Sequence, residues 1–113
     1  MKLSMVRDIL GASVLAGETM LESEIKSACG SDLMSDVLAF VKEQGVLLTG
    51  LCNPQVVRTA EMMDIICVVF VRGKTPDERI IALARESGIA VMACPLTLYE
   101  ACGRLYSAGL GRA

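Results

Sequence analysis

The stretch from Val46 to Asp64, VLLTGLCNPQVVRTAEMMD, constrains this chain more than any other. Val46-Leu47-Leu48 is apolar on both sides of any strand it forms, so that strand must be covered on both faces. Thr49-Gly50-Leu51-Cys52 reads as a turn, and Asn53-Pro54 as a helix start. Asn caps free backbone N–H groups, and Pro at the first helical position lacks an N–H that would have had no partner. Val56, Val57, Ala60 and Met63 recur at helical spacing and form a stripe that can lie on a sheet. Strand, glycine turn and helix N-terminus in this order make the concave end of a βαβ unit, where open α/β sheets place their ligands.

The pattern recurs along the chain. Ser4 is the expected cap of a short helix through Leu10, closed by Gly11. Ser13 to Ala16 is a short strand ended by Gly17-Glu18, and Ile25 to Cys29 a second, weaker one. Gly30-Ser31-Asp32 leads into a helix over about Leu33 to Gln44, with Met34, Val37, Leu38 and Val41 inward and Gly45 terminating it. Ile65 to Val71 is the most hydrophobic run and predicts a central strand. Thr75-Pro76-Asp77-Glu78 predicts a helix capped by Thr75, with Ile80, Ile81, Leu83 and Ala84 buried and Gly88 at its end. Ile89 to Ala93 is the next strand, and Cys94-Pro95-Leu96-Thr97 opens a last helix over about Leu98 to Ala108. Strands and helices alternate too closely for any crossover but the right-handed one. The expected fold is α/β: three layers, α/β/α, around a largely parallel sheet of about five strands, with the Val14 strand antiparallel at an edge.

Length and composition bound the function. The 113 residues suit one domain, 1–113, with no linker or low-complexity tract. Hydrophobic residues make up 53%, yet Trp is absent and Phe and Tyr number two each, so the core is aliphatic with seven Met as gap fillers. A net charge of −2 without a basic block argues against nucleic acid. No apolar run approaches the roughly 20 residues of a membrane span and no signal-peptide h-region opens the chain, which points to a cytoplasmic protein off the membrane. There is no histidine, hence no usual general base, metal ligand or His-activated nucleophile. The five cysteines form no CxxC pair. Cys29, Cys52 and Cys94 are expected at or just beyond strand C-terminal ends, Cys67 mid-strand and Cys102 in a helix. Three such thiols lack the fourth ligand of a closed zinc site, so neither a metal nor a cofactor is expected.

Several segments carry a family resemblance: Leu15-Ala16-Gly17-Glu18, Ser31-Asp32-Leu33-Met34, Leu47-Leu48-Thr49-Gly50 before a helix, Arg72-Gly73-Lys74-Thr75-Pro76, and Tyr99 near the end. In this order, over nearly the whole chain, they resemble the DRTGG domain, related to the N-terminal domain of HPr kinase/phosphorylase. The nearest likeness is to its stand-alone form. The same module is inserted in some CBS-containing family II pyrophosphatases and occurs in some phosphotransacetylases, where it is similar to a regulatory or dimerising part. The resemblance therefore implies a non-catalytic role. The Asp-Arg pair that names the domain would follow Thr49-Gly50, where this chain has Leu51-Cys52-Asn53-Pro54. The Thr-Gly-Gly after the next strand is replaced by Val71-Arg72-Gly73.

Gly73-Lys74-Thr75 has the ending of a P-loop, but the residue five before Gly73 is Val68, inside a strand, so the phosphate cradle is missing. Arg72 and Lys74 still project from a sheet edge beside a helix N-terminus, a place that favours anions. Asp32, Asp64 and Asp77 need no catalytic role, Asp77 serving the helix dipole and Asp64 solvation. The expected function is a regulatory or dimerisation module binding a small anion such as a nucleotide. The expected ligand residues are Thr49, Gly50, Asn53, Arg72, Gly73, Lys74, Thr75 and Thr97. A homodimer is expected through the last helix, which carries Leu98, Tyr99, Leu105 and Tyr106, together with a further protein partner that the sequence leaves unnamed. The alternative is a small phosphotransfer or acyl-transfer enzyme using a thiolate or carboxylate at the same edge, with Cys52, Cys94 and Asp32 as candidates.

Overall fold

The structure is a computed structural model describing residues 1–41 and 45–111. In chain order it runs α1 (Leu3–Leu10), β1 (Ser13–Ala16), a 3-10 turn (Glu18–Met20), β2 (Ser27–Gly30), α2 (Met34–Phe40), β3 (Gly45–Thr49), α3 (Pro54–Met62), β4 (Cys67–Phe70), α4 (Glu78–Ser87), β5 (Ala90–Ala93) and α5 (Leu98–Ser107). The strands form one sheet in the order β1-β5-β4-β3-β2. All neighbours are parallel except β1, which pairs antiparallel with β5 at one edge, as expected from the sequence.

Within the continuous apolar runs, alternate residues serve opposite faces because strand side chains have a period of two. Val46, Leu48, Cys67, Val69, Ala90 and Met92 meet Leu3, Val6 and Leu10 of α1 and Ala101 and Leu105 of α5. Leu47, Val68, Phe70 and Val91 meet Val37 of α2, Val56, Val57 and Ala60 of α3, and Ile80 and Ala84 of α4. Three successive crossovers thus lie on one face while the strand order advances in one direction, so all share one hand. The order of β2 to β5 never reverses, and the sheet has no switch-point crevice of the doubly wound kind.

The departures from expectation have local causes. Ser4 does not cap α1; the N-cap is Lys2, with no side-chain bond. The amides of Leu3 and Ser4 instead donate to the carbonyls of Ser23 and Leu21, at 2.9 Å each, so no side-chain cap is needed. The cap of α4 is Asp77, whose carboxylate accepts from Ile80 N–H at 3.0 Å, two residues beyond Thr75. β2 begins at Ser27 rather than Ile25, because Ile25 is drawn under α1 and its N–H donates to Met1 C=O at 2.7 Å. Val41 is already extended, which ends α2 at Phe40; residues 42–44 of the expected helix lie outside those described. Gly45 opens β3 opposite Ser27 rather than stopping a helix. Of the four α2 positions expected inward, Val37 is buried and Leu38 is 44% exposed. Cys67 starts β4 instead of lying mid-strand, though it is fully buried.

The Leu15-Ala16-Gly17-Glu18 segment has a structural role. A Cβ on Gly17 would meet Ala90 on β5, and Glu18 pairs with Arg85 of α4 at 3.2 Å. Arg85 also donates to Leu15 C=O at 3.0 Å, so the segment ties β1 to α4.

Candidate functional site

The parallel strands bring the loops after β2, β3, β4 and β5 to one edge of the sheet. The loop after β2 is fastened first. Ser31 N–H donates to Leu48 C=O at 3.0 Å, and Leu33 N–H to Ser31 Oγ at 3.0 Å, a turn that aims Asp32 toward β3. The Asp32 carboxylate there accepts three donors. Its Oδ1 takes Gly50 N–H at 2.7 Å and the hydroxyl of fully buried Thr49 at 3.0 Å. Its Oδ2 takes Arg72 Nη1 at 3.3 Å. Thr49 Oγ1 in turn accepts from Leu51 N–H at 3.1 Å, so the buried hydroxyl both donates and accepts. The Gly50 N–H bond, with Thr49 and Arg72 behind it, holds the Asp32 carboxyl below its usual range against partial burial.

Arg72 is the unusual member. It lies at φ 60°, the left-handed region that side chains other than Asn and Asp seldom enter. Its N–H donates to Leu96 C=O at 2.7 Å and that of Gly73 to Cys94 C=O at 3.1 Å, which laces the loop after β4 to the loop after β5. From there the guanidinium folds back over Gly50, so closely that a Cβ at position 50 would strike it. Gly50 leaves room for this approach without a positive φ, and a Cβ there would push the guanidinium aside.

Of the residues expected at the site, Thr49, Gly50 and Arg72 meet around Asp32. Gly73 and Lys74 continue the same loop, with Lys74 N–H closing a turn onto Val71 C=O at 3.1 Å. Burial raises the Cys52 thiol in the loop after β3, and the Lys74 charge opposes that rise. Asn53 spends its side-chain oxygen capping α3, accepting from Gln55 N–H at 2.8 Å. Thr97 caps α5, its hydroxyl accepting from Glu100 N–H at 3.1 Å and donating to Glu100 Oε1 at 3.2 Å. Thr75 is exposed outside α4. Asp32 is the residue that sequence reasoning left out of the set. Its signal was the Ser31-Asp32-Leu33-Met34 match placed directly after a strand.

The thiols are not activated at the site. Burial pushes Cys29, Cys52, Cys94 and Cys102 above the ordinary thiol value, and Cys67 far above it. β2, which carries Cys29, is separated from β5, which ends next to Cys94, by β3 and β4. Among the described residues no three of Cys, Asp and Glu are grouped to hold a metal ion. Among them, too, no helix is long and apolar enough to cross a membrane.

A five-stranded α/β sheet whose edge carries an aspartate-locked arginine, with no histidine anywhere in the chain, defines a small module with a polar cluster at its strand ends. Residues 5–108 match the DRTGG domain, and the chain belongs to that family. A comparison with curated proteins finds no match. Among solved structures, the chain is similar to the CBS and DRTGG domains of the regulatory region of Clostridium perfringens pyrophosphatase, complexed with its activator, diadenosine tetraphosphate. The likeness has a TM-score of 0.75 at 19% identity and covers 92% of this chain, which spans 45% of the other. At that identity the likeness concerns the fold.

Proposed function

We propose that this chain is a non-catalytic regulatory module of the cytoplasm that acts as a homodimer, with residues 1–113 working as one domain. Its ligand is a small anion, a nucleotide, held at the C-terminal ends of β3 and β4. The observation that carries the reading is Arg72, a non-glycine residue at φ 60° whose guanidinium lies across Gly50 and ends on Asp32. Strained backbone that keeps a charged side chain at a sheet edge is a common mark of a binding site. The Arg72–Asp32 pair is half exposed, at 42% and 44%, and joined by one contact of 3.3 Å. Such a pair contributes about 0–1 kcal/mol, so an anion can draw the guanidinium away at little cost. Asp32 would keep Gly50 N–H and the Thr49 hydroxyl, and Lys74 would supply a second cation from the same loop.

The non-catalytic part rests on what the site lacks for chemistry. The chain has no histidine, and every thiol is pushed up by burial and so kept as the unreactive thiol at neutral pH. Asp32 is held ionised with both oxygens engaged, which suits it poorly to taking a proton near pH 7. Family membership and the regulatory region of the pyrophosphatase point the same way. The test is a thermal-shift panel of mono-, di- and dinucleotides with inorganic phosphate and pyrophosphate as controls. A ligand at about 100 times its Kd adds about 2.7 kcal/mol of apparent stability. The expected result is a rise in Tm with a nucleotide that disappears in Arg72→Gly. No shift with any member, or a shift indifferent to Arg72→Gly, would remove the ligand reading.

A further inference from the structure

Among the described residues, the outer side of helix α5 is exposed. Ala101 and Leu105 are buried against the sheet, whereas Tyr99 is 89% exposed and Tyr106 57% exposed on the side toward β2. β2 is the sheet's edge there, so nothing of the sheet lies beyond it. The surface around the two tyrosines is hollow, bounded by Ala28 and Gly30 of β2, by Cys102, and by Leu110 after the helix. Between the tyrosines, on the same side, sits Gly103. Glycine is less favourable than alanine in a helix interior, and nothing among the described residues calls for one here. Its φ is not positive, and a Cβ on it would meet nothing within 4 Å. Gly30 and Gly50 differ in this respect, since side chains of the same subunit lie against them.

Glycine on an exposed helix face lets another backbone approach closely, and the neighbouring side chains say whose. Tyr99 and Tyr106 are seven residues apart, and Glu100 and Arg104, one turn apart, occupy the adjoining flank. The midpoint of the tyrosine pair falls between Cys102 and Gly103, and that of the charged pair half a residue away at Cys102. A helix reversed about a two-fold axis at that point sets Tyr99 on the other Tyr106, and Glu100 beside the other Arg104. The face is complementary to itself in shape, stacking and charge, as an isologous interface must be. We propose that α5 packs antiparallel against α5 of a second copy of this chain, crossing at Gly103, with Tyr99 and Tyr106 stacked across the axis and Glu100–Arg104 pairs at the rim.

The proposal rests on the homodimer reading above and names its surface. Light scattering on the full chain at tens of micromolar is expected to give a dimer. Gly103→Glu should convert it to a monomer with unchanged circular dichroism, whereas Met62→Glu, at a 70% exposed position on α3, should stay dimeric. Gly103→Ala should separate the two roles of the position. The alanine favours the helix itself, so the variant is expected to melt higher when dilute while its dimer dissociates at least tenfold more readily. In a Cys52→Ser background, Gly103→Cys should cross-link through a disulfide under mild oxidation with Cu²⁺-phenanthroline, in which molecular oxygen takes the two electrons, and Met62→Cys should not. A monomeric parent would overturn this interface and the homodimer together. A dimer that survives Gly103→Glu, or that fails to cross-link through Gly103→Cys, would overturn the interface alone and leave the homodimer standing.

Discussion

At position 72 the backbone adopts a conformation that glycine enters freely and arginine does not. Two effects compete when Arg72 is replaced. The left-handed backbone costs a residue with a Cβ about 1 kcal/mol, and the half-exposed pair with Asp32 contributes about 0–1 kcal/mol. Arg72→Gly relieves the first and loses the second, whereas Arg72→Ala only loses the second. Arg72→Gly is therefore expected to be more stable than Arg72→Ala by about 1 kcal/mol, read from denaturant midpoints at constant slope; equal midpoints would mean that position 72 is unstrained. Asp32 gives a second prediction. Asp32→Ala leaves the Gly50 N–H and the buried Thr49 hydroxyl without their acceptor, at a cost of about 1–3 kcal/mol. Asp32→Asn keeps an acceptor oxygen for both and should cost less. Because the folded-state carboxyl is held low, its stabilisation is complete above the unfolded value and is lost as pH falls through the folded one, so the loss belongs below about pH 4. Urea titrations from pH 7 to pH 3 should show a shallower acid decline for Asp32→Asn than for the parent. Parallel curves would exclude Asp32 as a contributor.

Helix ends are where the sequence was least legible. Thr75-Pro76 carries a helix-start signature, yet both residues lie outside any helix and α4 begins only after Asp77. The two caps can be told apart. Asp77→Ala is expected to lose about 1 kcal/mol, and Thr75→Ala to stay within about 0.5 kcal/mol of the parent. The reverse order in thermal melts would restore Thr75 as the cap. The contact between β2 and α5 is equally specific, because a Cβ on Gly30 would collide with the Cys102 thiol. Gly30→Ala is expected to destabilise by about 1–3 kcal/mol, and adding Cys102→Ala should recover part of the loss. Strictly additive effects in that double-mutant cycle would show that the two positions do not touch.

Over the whole molecule, the strand order sets which parts open first. β4 lies at the centre of the sheet, between β3 and β5, with all four of its residues fully buried. β2 has a strand on one side only, and β1 is joined to β5 across an irregular register between Val14 and Ala16. Native-state hydrogen exchange followed by NMR should find the slowest amides in β4 and its neighbours, near the free energy of global unfolding, and faster ones in β1 and β2. Amides of β2 as slow as those of β4 in a monomeric preparation would contradict the strand order. The sequence by itself determined the kinds of element and their sides. The apolar runs of β3, β4 and β5 are buried twice over, so they had to be parallel and covered by helices, and Val14 was legible as the antiparallel edge. Asn53-Pro54 marked the start of α3 correctly because a cap is made within a few residues of itself. Only the tertiary structure decided the strand order, the caps supplied by distant backbone at α1, and the meeting of Asp32 with Arg72. Those two are 40 residues apart, and each could satisfy its charge in water or with another partner. Periodicity records which side of an element is apolar. The register that brings one side chain to another depends on how whole elements pack, and it leaves no local pattern along the chain.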